Sequence, residues 1–329
     1  MHIGVLGAGA WGTALAAHIA QQYPVTLWTR NRDVVDAINT KHENTIYLPG
    51  YQLPTQLNAS SDFINTLTRT STGITIIATP LSGLAALCKL MIQAGTVPQQ
   101  LVWVCKGIEP NSLALPHEII SRELGQTDCA TGTLSGPSFA QEIASNLPCA
   151  LVAASHSKLL QTSMQKIFHH HHMRIYTSTD VVGVELSGAV KNVLAIAAGI
   201  SDGLKLGFNA RAALLTRGLA EMGRLAHALG GQLETIMGLA GMGDLILTAT
   251  GDLSRNRQVG LQLALGMTLS DILQQLGHVA EGVRCAQAVS ILAKRRQIDM
   301  PICTAVSHIL EGHISAHEAV QQLLARDPK

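Results

Sequence analysis

The first twelve residues constrain this chain more than any other stretch. They read Met1-His2-Ile3-Gly4-Val5-Leu6-Gly7-Ala8-Gly9-Ala10-Trp11-Gly12. The apolar run Ile3–Leu6 predicts a buried strand, and residues 13–20 predict a helix that follows at once. Gly7-x-Gly9-x-x-Gly12 lies between them, the setting in which such a motif has a mechanism. Gly7 permits the tight turn, Gly9 admits a pyrophosphate close to the backbone, and Gly12 lets helix and strand pack closely. The helix then points free N–H groups and a positive dipole end at the phosphates, which makes Gly7, Gly9, Ala10, Trp11 and Gly12 candidate cofactor contacts. This is a dinucleotide-binding unit, and it commits the chain to begin with a βαβ fold.

The units that follow repeat that alternation. Val25–Trp28 reads as a second strand, residues 74–78 and 101–105 as further buried strands, and residues 84–94 as a helix. Strands alternating with helices predict a doubly wound, mostly parallel sheet of the Rossmann-like α/β class, with ligands at the carboxyl ends of its strands. Lys106 stands at one such end. After a further strand come Gly136 and Ser138, small residues suited to close backbone approach by a ligand. Residues 150–153 and 173–176 are strand-like and are expected to join the sheet with changed direction.

Cofactor choice is read at the end of the second strand. An acidic residue about 20 positions past the glycines would bind a ribose 2′-hydroxyl and favour NAD. Arg30 stands there instead, with Arg32 close by. A guanidinium pairs with a 2′-phosphate, so NADP(H) is favoured, with NAD(H) tolerated; the plain alternative is a solvated strand end.

Beyond residue 179 the pattern changes. Residues 182–198, 209–229, 256–265, 282–296 and 317–324 all read as helices. We expect two domains: a Rossmann-like dinucleotide-binding domain over residues 1–179 and an all-α substrate-binding and catalytic domain over 180–329. Lys191 lies in Ser187-Gly188-Ala189-Val190-Lys191-Asn192-Val193-Leu194, among small and apolar neighbours that predict burial. Burial lowers an ammonium's pKa and suits it to proton transfer on a hydroxyl or carbonyl; snorkelling to solvent is the alternative. Asp244, the only charge in a second Gly-rich stretch, could hold the lysine or a substrate hydroxyl, or simply form a turn. Ser254 suits a helix N-cap, and Arg255 and Asn256 after it could form an anion site.

Composition excludes several other classes. The net charge of +1 gives no global attraction for nucleic acid or anionic membrane. The longest apolar stretches are read as broken by Gly, Lys or Asn before the roughly 18 residues of a membrane span. No signal peptide is expected ahead of the first strand, and six cysteines without a CxxC pair read as reduced core residues of a cytoplasmic protein. The four histidines at 169–172 cannot converge on one ion in a strand or helix, so no metal is expected.

Seven blocks in one order carry a resemblance. They are Gly7-Ala8-Gly9-Ala10-Trp11-Gly12-Thr13-Ala14-Leu15-Ala16, Cys105-Lys106-Gly107-Ile108-Glu109, Ser135-Gly136-Pro137-Ser138-Phe139-Ala140, Glu185-Leu186-Ser187-Gly188-Ala189-Val190-Lys191-Asn192, Gly238-Leu239-Ala240-Gly241-Met242-Gly243-Asp244-Leu245, Ser254-Arg255-Asn256 and Val279-Ala280-Glu281-Gly282. Over essentially its whole length the chain resembles the bacterial NAD(P)-dependent sn-glycerol-3-phosphate dehydrogenases. The resemblance implies reversible reduction of dihydroxyacetone phosphate to sn-glycerol 3-phosphate, which supplies glycerophospholipid synthesis. It implies cofactor contacts at Trp11, Arg30, Lys106, Ala140, Arg255, Val279 and Glu281. It implies substrate contacts at Lys106, Gly136, Ser138, Lys191, Asp244, Ser254, Arg255 and Asn256. Lys191 would be the proton acceptor in oxidation, and the protein a homodimer. Ala249 and Cys285 depart from the family pattern, where cysteine and threonine are frequent. A related two-domain hydroxyacid dehydrogenase acting on a carboxylate, and a nucleotide-binding redox sensor without turnover, are the other readings.

Overall fold

The structure is a computed structural model that describes residues 1–276 and 280–327. It divides into two compact units, Met1–Cys105 with Pro116–Val181, and Lys106–Leu115 with Val182–Lys329.

The first unit is an eight-stranded sheet. Its strands are β1 (Ile3–Leu6), β2 (Val25–Trp28), β3 (Leu57–Ser60), β4 (Ile74–Ile77), β5 (Gln100–Trp103), β6 (Ala130–Ser135), β7 (Cys149–Ser155) and β8 (Met173–Ser178), in the order β3-β2-β1-β4-β5-β6-β7-β8. The first six run parallel; β7 reverses direction against β6, and β8 runs parallel to β7. The reversal expected for the last two strands is therefore present. In β1, Ile3 sits opposite both Val25 and Ile74, and every residue of the strand is buried. Helices on both faces explain this continuous apolar run, which lacks the in–out alternation of a half-exposed strand. Chain order turns from descending to ascending between β1 and β4, the point at which doubly wound sheets open a crevice for ligands.

The four-histidine segment is local structure at the head of β8. The His170 ring stacks on His18 with centroids 3.9 Å apart, and His169 Nδ1 accepts the Ile175 N–H at 3.2 Å. Among the described residues no group of three or more His, Cys, Asp or Glu side chains could hold a metal ion.

The second unit is helical, and among its described residues there is no strand. Its central helix, Val181–Gly203, is long and apolar enough to cross a membrane by length and composition, contrary to the interruption read from sequence. Glu185, Lys191 and Asn192 do not break it, and 94% of its most apolar window is buried inside the fold. Leu186, Val190, Val193, Leu194 and Ala197 join the core there. The helix Arg255–Ala264 crosses it in backbone contact: a Cβ on Gly199 would fall 2.1 Å from the Arg257 carbonyl oxygen, and one on Gly260 would fall 2.1 Å from that of Ile196. On either side of that crossing the two helices are joined by polar contacts. Asn256 Nδ2 donates to Asn192 Oδ1 at 2.9 Å, and Arg257 grips Asp202 through Nε at 3.0 Å and a terminal nitrogen at 2.8 Å.

Candidate active site

In the second unit the residues singled out from sequence meet around one carboxylate. Asp244 opens the helix Asp244–Thr250 just after a π-helical turn at Leu239–Gly243. That turn is confined by Gly241, where a Cβ would lie 2.1 Å from the Ile236 carbonyl oxygen. Asp244 Oδ1 accepts from Lys191 Nζ, and Oδ2 accepts from Lys106 Nζ at 2.7 Å. Asp244 is 1% exposed and Lys191 7%. Two ammoniums share one carboxylate, so the cluster carries an excess positive charge.

Burial sets the protonation behaviour. It pushes Lys191 down to about 8, opposed by the Asp244 carboxylate and assisted by the neighbouring Lys106 charge. For Asp244 burial alone would push upward, but the Lys106 and Lys191 ammoniums outweigh it and hold the carboxyl below its ordinary value. The snorkelling alternative for Lys191 is thereby excluded, and Asp244 does more than form a turn.

Thr248 was not singled out from sequence, although it stands one helical turn past Asp244. Its hydroxyl donates to the Asp244 backbone carbonyl at 2.6 Å, which turns its oxygen toward Lys191 Nζ at 3.0 Å. Lys191 thus spends two of its three N–H donors on Asp244 and Thr248 and keeps one. A second relay runs through Asn192, whose carboxamide donates to the Gly188 carbonyl at 3.2 Å and to Glu281 at 3.4 Å while accepting from Asn256. Asn256 Oδ1 in turn accepts the Gly282 N–H at 3.0 Å. Asn256 is therefore locked in place, with one carboxamide N–H unpaired among the described residues.

Ser254 caps the helix Arg255–Ala264, its hydroxyl accepting the Arg257 N–H at 3.2 Å. Arg257 is bound to Asp202 and Asp252. Arg255 is exposed, and its guanidinium has no partner among the described residues. Val279 lies outside the described residues.

The first unit carries the remaining candidates. Gly7 has φ +122°, and a Cβ there would sit 2.8 Å from the Ala78 backbone; at Gly12 it would sit 2.0 Å from the Gly7 carbonyl oxygen. These two glycines are required by the fold. At Gly9 a Cβ would meet nothing within 4 Å, and no side chain caps the helix Ala10–Ala20 that starts there. The open space and uncapped N–H groups fit a dinucleotide pyrophosphate. Trp11 is half-buried beside this loop, and Arg30 is exposed after β2 with no partner among the described residues. Gly136 (φ +136°) and Ser138, whose hydroxyl donates to the Gly136 carbonyl at 3.0 Å, follow the carboxyl end of β6, and Ala140 opens the helix Ala140–Ala144.

Comparison with known proteins gives this geometry a family. Residues 2–161 match the model for the NAD-dependent glycerol-3-phosphate dehydrogenase N-terminus, and residues 180–321 match the model for its C-terminus. The chain is 56% identical over 331 residues to glycerol-3-phosphate dehydrogenase [NAD(P)+] of Burkholderia cenocepacia (strain HI2424), covering 100% of this chain and 99% of that protein. It is 52% identical over 337 residues to the protein of the same name from Polynucleobacter asymbioticus, covering 100% and 99%. The crystal structure of glycerol-3-phosphate dehydrogenase from Coxiella burnetii superposes with a TM-score of 0.93 at 42% identity, covering 99% of both chains. With a dinucleotide loop in one unit and a buried lysine–carboxylate cluster in the other, this chain belongs to the NAD(P)-dependent glycerol-3-phosphate dehydrogenase family.

Proposed function

We propose that the protein catalyses the reversible NAD(P)H-dependent reduction of dihydroxyacetone phosphate to sn-glycerol 3-phosphate, with Lys191 as proton donor in reduction and acceptor in oxidation. The observation that carries this reading is the buried Lys191–Asp244–Lys106 cluster in a chain of this family.

The chemistry follows from that cluster. When bound, the reduced nicotinamide supplies a hydride to the carbonyl carbon. The carbonyl π electrons move to oxygen, and the one free N–H of Lys191 delivers the proton there. Lys191 is left as a neutral amine, a form that its lowered pKa makes accessible. Asp244 and Thr248 hold Nζ in place, and the Lys106 charge stabilises negative charge developing on oxygen. Arg255, the first-turn N–H groups that the Ser254 cap leaves free and the free N–H of Asn256 offer donors for the phosphate. That group does not react, so binding it contributes orientation. Gly7, Gly9, Ala10, Trp11 and Gly12 hold the dinucleotide; Ala140, Val279 and Glu281 contribute to the same task, and Gly136 and Ser138 to substrate binding. Arg30 favours the 2′-phosphate of NADP(H). The protein acts as a cytoplasmic homodimer in this reading; sedimentation of the pure protein checks the dimer.

The test is loss of nicotinamide absorbance with NADPH and NADH in parallel, against dihydroxyacetone phosphate and a panel of short keto acids. Oxidation dependent on dihydroxyacetone phosphate supports the reading, and preference for NADPH supports the role of Arg30. Turnover confined to a carboxylate substrate would move the chain to hydroxyacid chemistry. Binding without turnover on any substrate would leave a sensor.

A further inference from the structure

Between the helix Arg32–Lys41 and β3 the chain makes a compact loop over residues 42–53. It is closed at its base by the Leu53 N–H donating to the His42 carbonyl at 2.8 Å. Glu43 accepts the Gly50 N–H at 2.8 Å, and Leu48 and Leu53 are buried in the core of the first unit. A compact loop of this kind is packed by its own side chains. At its centre stands Asn44, 0% exposed.

Asn44 uses every polar group of its side chain. One carboxamide hydrogen goes to the Ala8 carbonyl at 2.9 Å, and the other goes to Thr13 Oγ1 at 2.7 Å; Oδ1 accepts the Tyr47 N–H at 3.1 Å. The Thr13 hydroxyl donates to the same Ala8 carbonyl at 3.3 Å. Ala8 lies between Gly7 and Gly9, and Thr13 sits in the first turn of the helix Ala10–Ala20. One side chain, from a loop more than 30 residues away in sequence, therefore ties the turn of the dinucleotide motif to the start of its helix. That relation decides where the free N–H groups of the motif point. Within the motif, Gly7 is held by its N–H to the Trp28 carbonyl at 2.9 Å and Gly9 accepts the Thr13 N–H at 2.9 Å; Asn44 adds a side-chain clamp on Ala8 and Thr13 from outside the motif.

We propose that Asn44 is a positioning residue for cofactor binding: it clamps the Ala8 carbonyl and Thr13 so that the N–H groups at the head of the helix converge on the pyrophosphate. This rests on the reading of that loop as the dinucleotide site. Aspartate at position 44 keeps the size but replaces both donors by an acceptor facing the Ala8 carbonyl. It also brings negative charge beside the phosphates.

The experiment measures NADPH and ADP-ribose affinity by titration, together with steady-state constants, for the wild type, Asn44→Asp, Asn44→Ala and Thr13→Val. Thermal unfolding of each is followed in parallel. The expected result is a tenfold or greater loss of affinity for both nucleotides in the two Asn44 variants and a smaller loss in Thr13→Val. The KM for dihydroxyacetone phosphate and kcat at saturating cofactor should stay within about threefold of wild type. Equal losses for NADPH and ADP-ribose place the effect on the shared pyrophosphate. Folded variants that bind both nucleotides as the wild type does would overturn the proposal. So would a loss that appears only where unfolding begins. Should Asn44 variants fail to fold, unchanged affinity in Thr13→Val overturns it. A wild type that binds neither nucleotide would instead refute the reading of the loop on which the proposal rests.

Discussion

At the scale of the residue, one buried ammonium carries the proposed chemistry and a cost in stability. In the proposed mechanism reduction needs Lys191 protonated, so its rate should fall as pH rises through about 8; oxidation needs the amine, so its rate should rise through the same range. Profiles of kcat against pH in the two directions check this, and two profiles of the same sense would contradict it. Replacing Asp244 with Asn leaves two like charges facing each other and removes the upward pull on Lys191. The inflection should then move to lower pH, with kcat reduced by one or more orders of magnitude. The same group bears on stability. The folded-state pKa of Lys191 lies below the ordinary lysine value, so its favourable contribution is present only above that value and is lost as pH falls through about 8. Near pH 7 the buried ammonium therefore destabilises the fold. Lys191→Met, which leaves the Lys106–Asp244 pair intact, should raise the unfolding free energy by an amount on the order of 1 kcal/mol, and the midpoint with it, while abolishing turnover. Differential scanning calorimetry at pH 7 decides, and a lowered midpoint would show that the ammonium is net stabilising.

At the scale of the element, the site depends on how two helices of the second unit cross. Gly199 and Gly260 allow Val181–Gly203 and Arg255–Ala264 to meet backbone to backbone, and this brings Asn192 to Asn256. Gly260→Ala puts a methyl group against the Ile196 carbonyl and should cost about 1–3 kcal/mol or more by overpacking. Chemical denaturation measures that cost, and an unchanged midpoint would mean that the helices can separate freely. Ser254→Ala removes the cap from the second helix and should cost about 1 kcal/mol. If the same turn holds the phosphate, it should also raise the KM for dihydroxyacetone phosphate. Arg255→Ala should raise that KM at least tenfold with little change in the KM for cofactor. A change confined to the cofactor would place Arg255 on the nucleotide instead.

Sequence periodicity made the strong elements legible and left the weak ones hidden. β1, β2 and β4 are continuous apolar runs, and the central helix of the second unit is apolar on nearly every face; such segments declare their own burial. β3, with Leu57-Asn58-Ala59-Ser60, carries too little apolar signal to be read alone and becomes a strand by pairing with β2. Lys191 was legible because its neighbours are apolar. Thr248 and Asn44 were not, because their roles come from partners 57 and 31 residues away that no local pattern announces.

At the scale of the whole molecule, two compact units divide the requirements of one reaction. The first holds a glycine-lined turn and an uncapped helix start suited to a dinucleotide. The second holds an ammonium with one donor to spare and, on a capped helix start, an exposed arginine. The segment Lys106–Leu115 follows the last residues of β5 yet belongs to the helical unit, which is how Lys106 comes to share Asp244 with Lys191. Sequence order alone assigned that segment to the first domain, because the strand before it gives no sign of where the chain goes next.

The central claim is that Lys191 transfers the proton in a dihydroxyacetone phosphate reductase. The most direct measurement compares wild type with Lys191→Ala in single-turnover oxidation of NADPH by dihydroxyacetone phosphate, with NADPH affinity measured on the same samples. The predicted result is rapid turnover by the wild type, a loss of at least three orders of magnitude in the variant, and unchanged NADPH affinity in both. A variant that binds NADPH and oxidises it at the wild-type rate would contradict the account.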